Sequence, residues 1–365
     1  MMKHLKLFIA SVCGFSLFLY ACVPKSKVEE KNFDLKGMLE NVGKNIILPS
    51  YNELQVNVNA LSVSVDSFIA NINQENLVEV RAKYRAAYIS WQKCDVFEFG
   101  PAEGLALRAN LNVYPVNTSK IESNISAGNF NLDQLINSDT KGFPAIDYLL
   151  FGENVSDSAL LVLYSSGINN TNRKNYLLAL TLAIKGKVDE VVSSWNSYYP
   201  NFVANTSYSV GGSLSMLINA MNKYFERYVR DGKIGIPVGV KSLGIPLPKQ
   251  VEAYYSGYSV DMLVASVTAF QNLYLGKYGS VNGLGLDDHL VAFDGVAIDQ
   301  DMQSKLADAL LACSALNGAL SQTIINNQSS VEAVYSKLQK VVLPLKVDMP
   351  SKLGVLISYQ DNDGD

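Results

Sequence analysis

Apolar side chains recur at intervals of three or four residues along most of this 365-residue chain. Such spacing predicts amphipathic helices, each of which buries one stripe of side chains. The alternation typical of strands is scarce, and the one apparent example, at residues 56–58, falls inside a helical stripe. The pattern therefore predicts an all-α fold. The stripes that carry this prediction cover residues 51–72, 77–94, 177–198, 214–228, 302–324 and 331–341.

Breaks in the periodicity divide the helices into two groups. They predict an N-terminal helical bundle over residues 33–170 and a C-terminal bundle over residues 171–365, with a long helix from Arg173 to Tyr199 joining them. An irregular stretch rich in Gly and Pro, residues 231–249, interrupts the second bundle and is expected to form a functional or packed loop. Two packed bundles leave a crevice between them, which is the expected place for a ligand.

The N-terminus predicts export. A basic start is followed by an apolar run, Leu7–Tyr20, that is too short to span a bilayer, so residues 1–21 are interpreted as a signal peptide. Residues 19–22 resemble a bacterial lipobox, which predicts a diacylglycerol on Cys22; the alternative is an ordinary secretory signal. Residues 22–32 would form a charged tether. We expect a protein held at the bacterial cell envelope, at the outer membrane or the periplasmic face, by this lipid.

Charge argues against nucleic acid as a partner. The formal net charge is −4, and removal of residues 1–21, which hold two lysines and no acidic residue, would change it to −6. An acidic chain without a basic run is a poor candidate for nucleic-acid binding.

Few residues suited to soft-metal or nucleophilic chemistry remain after residue 22. Cys94 and Cys313 lie far apart on separate predicted helices and could either pair or stay as buried free thiols. His289 is the one histidine beyond the predicted signal peptide, and it is expected in a solvated loop. A zinc or iron site rich in imidazole cannot be built from one histidine.

Two acidic residues are candidates for a binding site. Glu98 ends a predicted helix between two phenylalanines, where partial desolvation could make it a ligand or a general base; the alternative is an exposed carboxylate in the last turn. The second candidate is Asp147, within the segment Gly142–Gly152. The segment corresponds to a Gly-x-His-x-x-Glu pattern, in which an imidazole and a carboxylate lie one helical turn apart on the same face and can both reach one metal ion. Here Pro144 takes the histidine position and Asp147 the glutamate position.

With these segments in order along the chain, the sequence resembles the imelysin-like family, also classed as M75 peptidases. The resemblance implies two all-helical, bundle-like domains with the motif near their interface, in exported or lipid-anchored bacterial proteins associated with iron acquisition. Envelope iron-uptake components are the partners that it implies. Further segments that support it are residues 46–51, 98–101, 173–177, 232–239, 251–256 and 353–355.

The departures from the family motif change what the site can do. Proline has no side-chain lone pair and cannot coordinate a metal. Glu98 and Asp147 without an imidazole favour hard cations such as Ca²⁺, Mg²⁺ or Fe³⁺, so iron or another hard cation is the possible cofactor. In an alternative interpretation, Pro144 only starts a helix after Gly142, and Asp147 lies in the first turn and stabilises the helix dipole.

Three functions follow from the sequence. A lipid-anchored binding or accessory protein with an altered site is favoured over a metallopeptidase, which normally needs a histidine in its metal shell. A module that binds a partner in an envelope complex is the third. The C-terminal residues 361–365 do not form an EF-hand, because the glycine is misplaced and the chain ends before the bidentate glutamate.

Overall fold

The computed structural model describes residues 32–358, and almost all of its ordered secondary structure is helical. The predicted all-α class is confirmed. The predicted signal peptide, Cys22 and the acidic C-terminal residues lie outside the described residues. The helices are α1 (Leu35–Asn41), α2 (Leu48–Ala70), α3 (Gln74–Cys94), α4 (Pro101–Gly104), α5 (Leu107–Leu111), α6 (Thr118–Ala127), α7 (Gly142–Phe151), α8 (Asp157–Ser165), α9 (Asn170–Ala204), α10 (Ser213–Lys223), α11 (Ile236–Val238), α12 (Ser259–Tyr274), α13 (Leu286–Ala292), α14 (Val296–Ser314), α15 (Leu320–Asn326), α16 (Gln328–Leu343) and α17 (Met349–Leu353).

Helices α2, α3 and α9 form the core of the first half. Their apolar stripes pack against each other, and α2 contacts both of the others along much of its length. The predicted stripe of α2 from Tyr51 to Phe68 is almost completely buried. Asn73 caps the start of α3 by accepting a hydrogen bond from the Asn76 amide at 2.8 Å, which satisfies one of the amides that a helix start leaves open.

The long helix α9 packs with the elements that precede it, including α2, α7 and α8. This helix begins where the second bundle was predicted to begin, yet its contacts place it with the first half. Residues 33–358 belong to one compact unit. The predicted domain boundary at residues 170 and 171 stays a prediction, but the helix that follows it is part of the N-terminal packing.

The second half is built on α12, α14 and α16. Helix α14 packs against both α12 and α16, and α12 also packs against α3 of the first half. A two-stranded antiparallel hairpin, β1 (Lys277–Tyr278) and β2 (Val281–Asn282), follows α12. Because α12 contacts both halves, side chains on its surface can take part in sites that neither half forms alone.

Within residues 32–358, three stretches of π-helix interrupt the α-helices: Val42–Ile47, Tyr224–Gly235 and Pro344–Asp348. The second stretch corrects the prediction of an irregular loop over residues 231–249. The first part of that predicted loop, as far as Val238, is helical, since it belongs to the π-helix and to α11. Residues 239–247 are irregular and contain exposed Leu243 and Ile245, and the 3₁₀ turn Pro248–Gln250 follows them. The glycines misled the prediction, since a glycine lowers helix propensity without preventing a helix that tertiary packing supports.

The prediction for His289 is wrong. It lies in α13 with its side chain buried, and its ring stacks on Phe33 with a centroid distance of 4.2 Å. The Nε2 atom is 3.0 Å from the Tyr208 hydroxyl, and burial lowers the pKa of the imidazole to about 4. The acidic residues before it suggested a solvated loop, whereas they form the first turn of α13.

The cysteine alternatives are resolved within the described part of the chain. Cys94 and Cys313 are both buried and unpaired. No helix between residues 32 and 358 is long and apolar enough to cross a bilayer.

Candidate functional site

The motif segment forms helix α7, and its glycine is required by the backbone. Gly142 has a φ of +78°, a conformation that disfavours L side chains. A Cβ atom at this position would lie 2.3 Å from the carbonyl oxygen of Leu111. Gly142 therefore lets α7 start directly against the end of α5.

Pro144 lies in the first turn of α7 and is buried. A proline fits there because the first amides of a helix have no intrahelical acceptor. This position agrees with the alternative interpretation in which Pro144 only helps to start the helix after Gly142. With Asp147 and Tyr255, Pro144 also lines a recess of only about 10 Å³, which is too small for a ligand.

Asp147 is not in the first turn, so its predicted interaction with the helix dipole is wrong. It lies in the second turn, and its Oδ2 atom accepts hydrogen bonds from the backbone amides of Tyr255 (2.9 Å) and Ser256 (3.3 Å). Its Oδ1 atom is buried and accepts no well-aligned hydrogen bond from residues 32–358. Burial raises the pKa of Asp147 to about 6, against the hydrogen bonds from Ser256 and Tyr255, which lower it. Asp147 thus ties α7 to the segment that precedes α12.

Glu98 follows the 3₁₀ turn Asp95–Phe97 and is half-buried. Both of its carboxylate oxygens accept a hydrogen bond from the backbone amide of Arg108 at 3.2 Å. Burial raises the pKa of Glu98 to about 7, although the charge of Arg108 lowers it and that of Asp95 raises it further. Its carboxyl group can therefore exchange a proton near neutral pH.

Glu98 borders a cavity of about 480 Å³ between the two halves of the molecule. The cavity is within the size range of small-molecule sites. Asp147 does not line it, but Tyr114 borders both this cavity and the recess at Asp147. The other residues that line the cavity are Glu103, Ala106, Arg108, Ala109, Asn112, Val113, Lys223, Arg227, Tyr228, Gly232, Ile236 and Gln250.

The predicted pairing of Glu98 and Asp147 around one cation stays a prediction. The two carboxylates face different hollows, and each is engaged by backbone amides of its own neighbourhood. Across residues 32–358, no three His, Cys, Asp or Glu side chains come close enough together to hold a metal ion. A cation at either residue would need further oxygen ligands from backbone, water or a chelating molecule.

An ion pair and two amides fill the space behind the cavity. The Lys233 ammonium donates to Glu252 and to the Gln92 side-chain oxygen, the latter at 2.7 Å. Gln92 and Asn112 each donate to Glu252 Oε1, at 2.9 and 2.7 Å. The Asn112 oxygen in turn accepts from Tyr88 at 2.6 Å. We call Gln92, Asn112, Lys233 and Glu252 the buried polar cluster.

A second ion pair lies in the cavity wall, and the charges of Lys233 and Glu252 act on the pKa of its Asp95. Arg108 Nε donates to Asp95 Oδ1 at 2.5 Å, and both side chains are largely buried. The guanidinium also lies over the ring of Tyr228, 3.8 Å from its centroid. Although desolvation lowers the pKa of Arg108, the charges of Asp95 and Glu98 raise it overall, so the guanidinium stays charged.

Sequence reasoning identified Glu98 but missed Arg108 and the buried polar cluster. One signal was present: Asp95 follows Trp91 by four residues and continues the apolar stripe of α3 just beyond its last residue, where a buried charged residue needs a partner. Lys233 and Glu252 gave no comparable signal, because they lie in segments without clear periodicity.

Comparison with known proteins gives a consistent result. The family model described as Imelysin matches residues 47–345. Iron-regulated protein A of Synechococcus elongatus is 21% identical over 348 residues, which cover 91% of this chain and 92% of that protein.

Two crystal structures show the same fold. A protein described as an iron-regulated protein A precursor from Parabacteroides distasonis has a TM-score of 0.72 at 18% identity, covering 87% of this chain and 95% of its own. An imelysin-like protein from Psychrobacter arcticum has a TM-score of 0.69 at 14% identity, covering 89% and 97%.

Proposed function

Because this chain belongs to the imelysin family, we propose that it is an envelope lipoprotein that binds an anionic, iron-bearing ligand in the cavity bordered by Glu98. The full-length match to a cyanobacterial protein named for its regulation by iron supports the association with iron. The proposal that the ligand is anionic and binds in this cavity rests on the cationic side chains of the lining.

Three cationic side chains line the cavity beside the carboxylates of Glu98 and Glu103, and the charge of Lys223 lowers the pKa of Glu98. Arg108 is held by Asp95, but Lys223 and Arg227 form no ion pair with any residue between 32 and 358. Arg227 is exposed and Lys223 is half-buried, so both can meet a ligand from solvent. A carboxylate complex of ferric iron would present its negative surface to these cations.

Binding is favoured over peptidase chemistry by the positions of the motif residues. Pro144 offers no ligand atom, and two backbone amides hold Asp147 Oδ2, so that the buried Oδ1 is the one ligand atom that these two motif side chains leave open. The recess beside them holds about 10 Å³, which leaves no room for a peptide. The cavity at Glu98 is the more spacious of these two hollows, and its lining suits recognition of a charged ligand.

Ferric citrate is the probe that tests the cavity. We expect the full-length protein in detergent to bind it at low ionic strength, and Lys223→Ala/Arg227→Ala to weaken binding by about tenfold or more, since charge-assisted contacts are lost. Isothermal titration calorimetry would measure the two dissociation constants. Added salt should weaken binding by the wild type more than binding by the variant.

The matched control is Lys174→Ala, because Lys174 is half-buried like Lys223 and does not line this cavity. Citrate without iron separates recognition of the chelate from recognition of the anion alone. Equal affinity of wild type and the double variant for ferric citrate would reject this cavity as the site. Loss of binding in Asp147→Asn but not in the double variant would instead place the iron at the motif.

Attachment to the membrane through Cys22 is the second part of the proposal, and it would bring the site close to envelope iron-uptake components. Cys22→Ser should abolish incorporation of radiolabelled palmitate and should remove the lipid-dependent membrane association. Cys13→Ser, within the same predicted signal, should keep the label. Label retained by the Cys22→Ser protein would show that lipidation occurs elsewhere.

A further inference from the structure

A second cavity lies on the other side of the α3 terminus and takes no part in the proposed iron site. It measures about 290 Å³ and shares no lining residue with the cavity at Glu98. Ile46, Ser50 and Glu53 form one wall, and Lys93 and Phe97 form another. The hairpin residues 277–279 close one end.

Helix α12 makes the hollow because it presents small side chains. Ala265, Thr268, Ala269 and Asn272 line the cavity, and their spacing of three and four residues places them on one face. Two alanines leave space that larger side chains would fill in a packed interface. Ile46 and Phe97 add apolar surface from the other two walls, so the interior can accept a ligand with an apolar body.

The acidic residue of this cavity is already satisfied. Glu53 accepts hydrogen bonds from the Lys93 ammonium at 2.6 Å and from the Tyr278 hydroxyl at 2.5 Å. The ammonium neutralises the carboxylate, and the hydroxyl fixes its position. Tyr278 also fastens the hairpin to α2, so the hairpin has a fixed position at the cavity.

Other polar groups of the lining lack partners. Within residues 32–358, no hydrogen bond or ion pair engages the Lys277 ammonium or the Asn272 amide. Lys277 is half-buried, and its neighbour in the hairpin is the tyrosine that holds Glu53. Lys277 and Asn272 line the same cavity as the apolar side chains, and such a lining is suited to an anion attached to an apolar body.

We propose that this cavity binds a small monocarboxylate with an aromatic or aliphatic body, whose carboxylate pairs with Lys277. The body packs between Phe97 and the alanines of α12. Because Lys93 already pairs with Glu53, Lys277 is left as the cation of this lining that can pair with a ligand, which favours a ligand with a single carboxylate. The site is independent of the proposed iron-binding function.

The probe is 4-fluorophenylacetate, observed by fluorine NMR with the full-length protein in detergent and with protein-free micelles as a blank. We expect saturable binding, with clearly weaker binding of 4-fluorophenylacetamide and 4-fluorophenethylamine. Lys277→Met should weaken binding of the carboxylate by about tenfold or more, because it removes the charge and keeps a similar length. The affinity for the neutral 4-fluorophenylacetamide should fall much less in this variant.

Two further variants make the result specific. Ala269→Leu should block the cavity and weaken both the carboxylate and the amide, without changing any charge. Lys174→Met is the matched control and should bind as the wild type does. Circular dichroism on each variant checks that it is folded. Absence of saturable binding at millimolar concentration, or equal affinity in Lys277→Met, would overturn the proposal.

Discussion

Replacing Lys233 by methionine should lower the free energy of unfolding by about 3–5 kcal/mol. Lys233 and Glu252 form an ion pair in which both side chains are at most 3% exposed. Removal of the ammonium leaves the Glu252 carboxylate in a buried position with only the amides of Gln92 and Asn112 to stabilise it. An unpaired buried charge costs far more than the pair itself contributes.

Urea unfolding followed by circular dichroism would measure this loss. The matched control is Lys187→Met, whose partner Glu190 is half exposed, and a surface pair of this kind contributes at most about 1 kcal/mol. Lys233→Met combined with Glu252→Gln should recover part of the stability, because both charges are then absent. A loss below about 1 kcal/mol for Lys233→Met would show that the cluster is not a closed, desolvated network.

Asp147→Asn should change how stability depends on pH. The pKa of Asp147 is raised to about 6 in the folded protein, compared with about 3.9 in an unfolded chain. The stability that this raised pKa contributes is present below about pH 4 and is lost as the pH rises through 6. By linkage, the wild type should lose up to about 3 kcal/mol relative to the asparagine variant between pH 4 and pH 7.

The asparagine oxygen can still accept the hydrogen bonds from Tyr255 and Ser256, so the packing of α7 should persist. Urea unfolding of both proteins at several pH values measures the difference, with Asp66→Asn at an exposed position as the control. A constant difference across this range would contradict the raised pKa. If calcium or ferric iron stabilises the wild type at pH 7 but not Asp147→Asn, the carboxylate holds a cation, as the sequence predicted.

The helices could be predicted because their signal is local. The stripe from Tyr51 to Phe68 needs only a helical period to be recognised, and it is buried as expected. The candidate site depends on contacts between distant segments. Gln92 and Glu252 are 160 residues apart, and nothing in either segment indicates the other. The motif could be located without alignment, yet the role of Asp147 depends on the amides of Tyr255 and Ser256, which only the fold brings to it.

The burial of His289 also depends on a contact with a distant segment, which the local sequence does not indicate. Its neighbours in sequence are acidic and glycine-rich, which indicated solvent exposure. Its neighbours in space are Phe33 and Phe293, which surround the imidazole with apolar rings. Phe293 follows His289 by one helical turn and could have been recognised from the sequence, whereas Phe33 lies 256 residues earlier and only the fold brings it to the imidazole.

The π-helical stretches have a consequence for comparing members of this family. A π turn closes its hydrogen bond one residue later than an α turn, so a chain can gain or lose a residue there while its loops keep their lengths. The stretches Val42–Ile47 and Tyr224–Gly235 supply Ile46 to one cavity and Lys233 to the buried polar cluster. At identities of 14–21%, gaps in an alignment can therefore belong inside helices. Equivalents of Lys233 should be sought by superposition, because counting residues from the nearest glycine can select the wrong side of the helix.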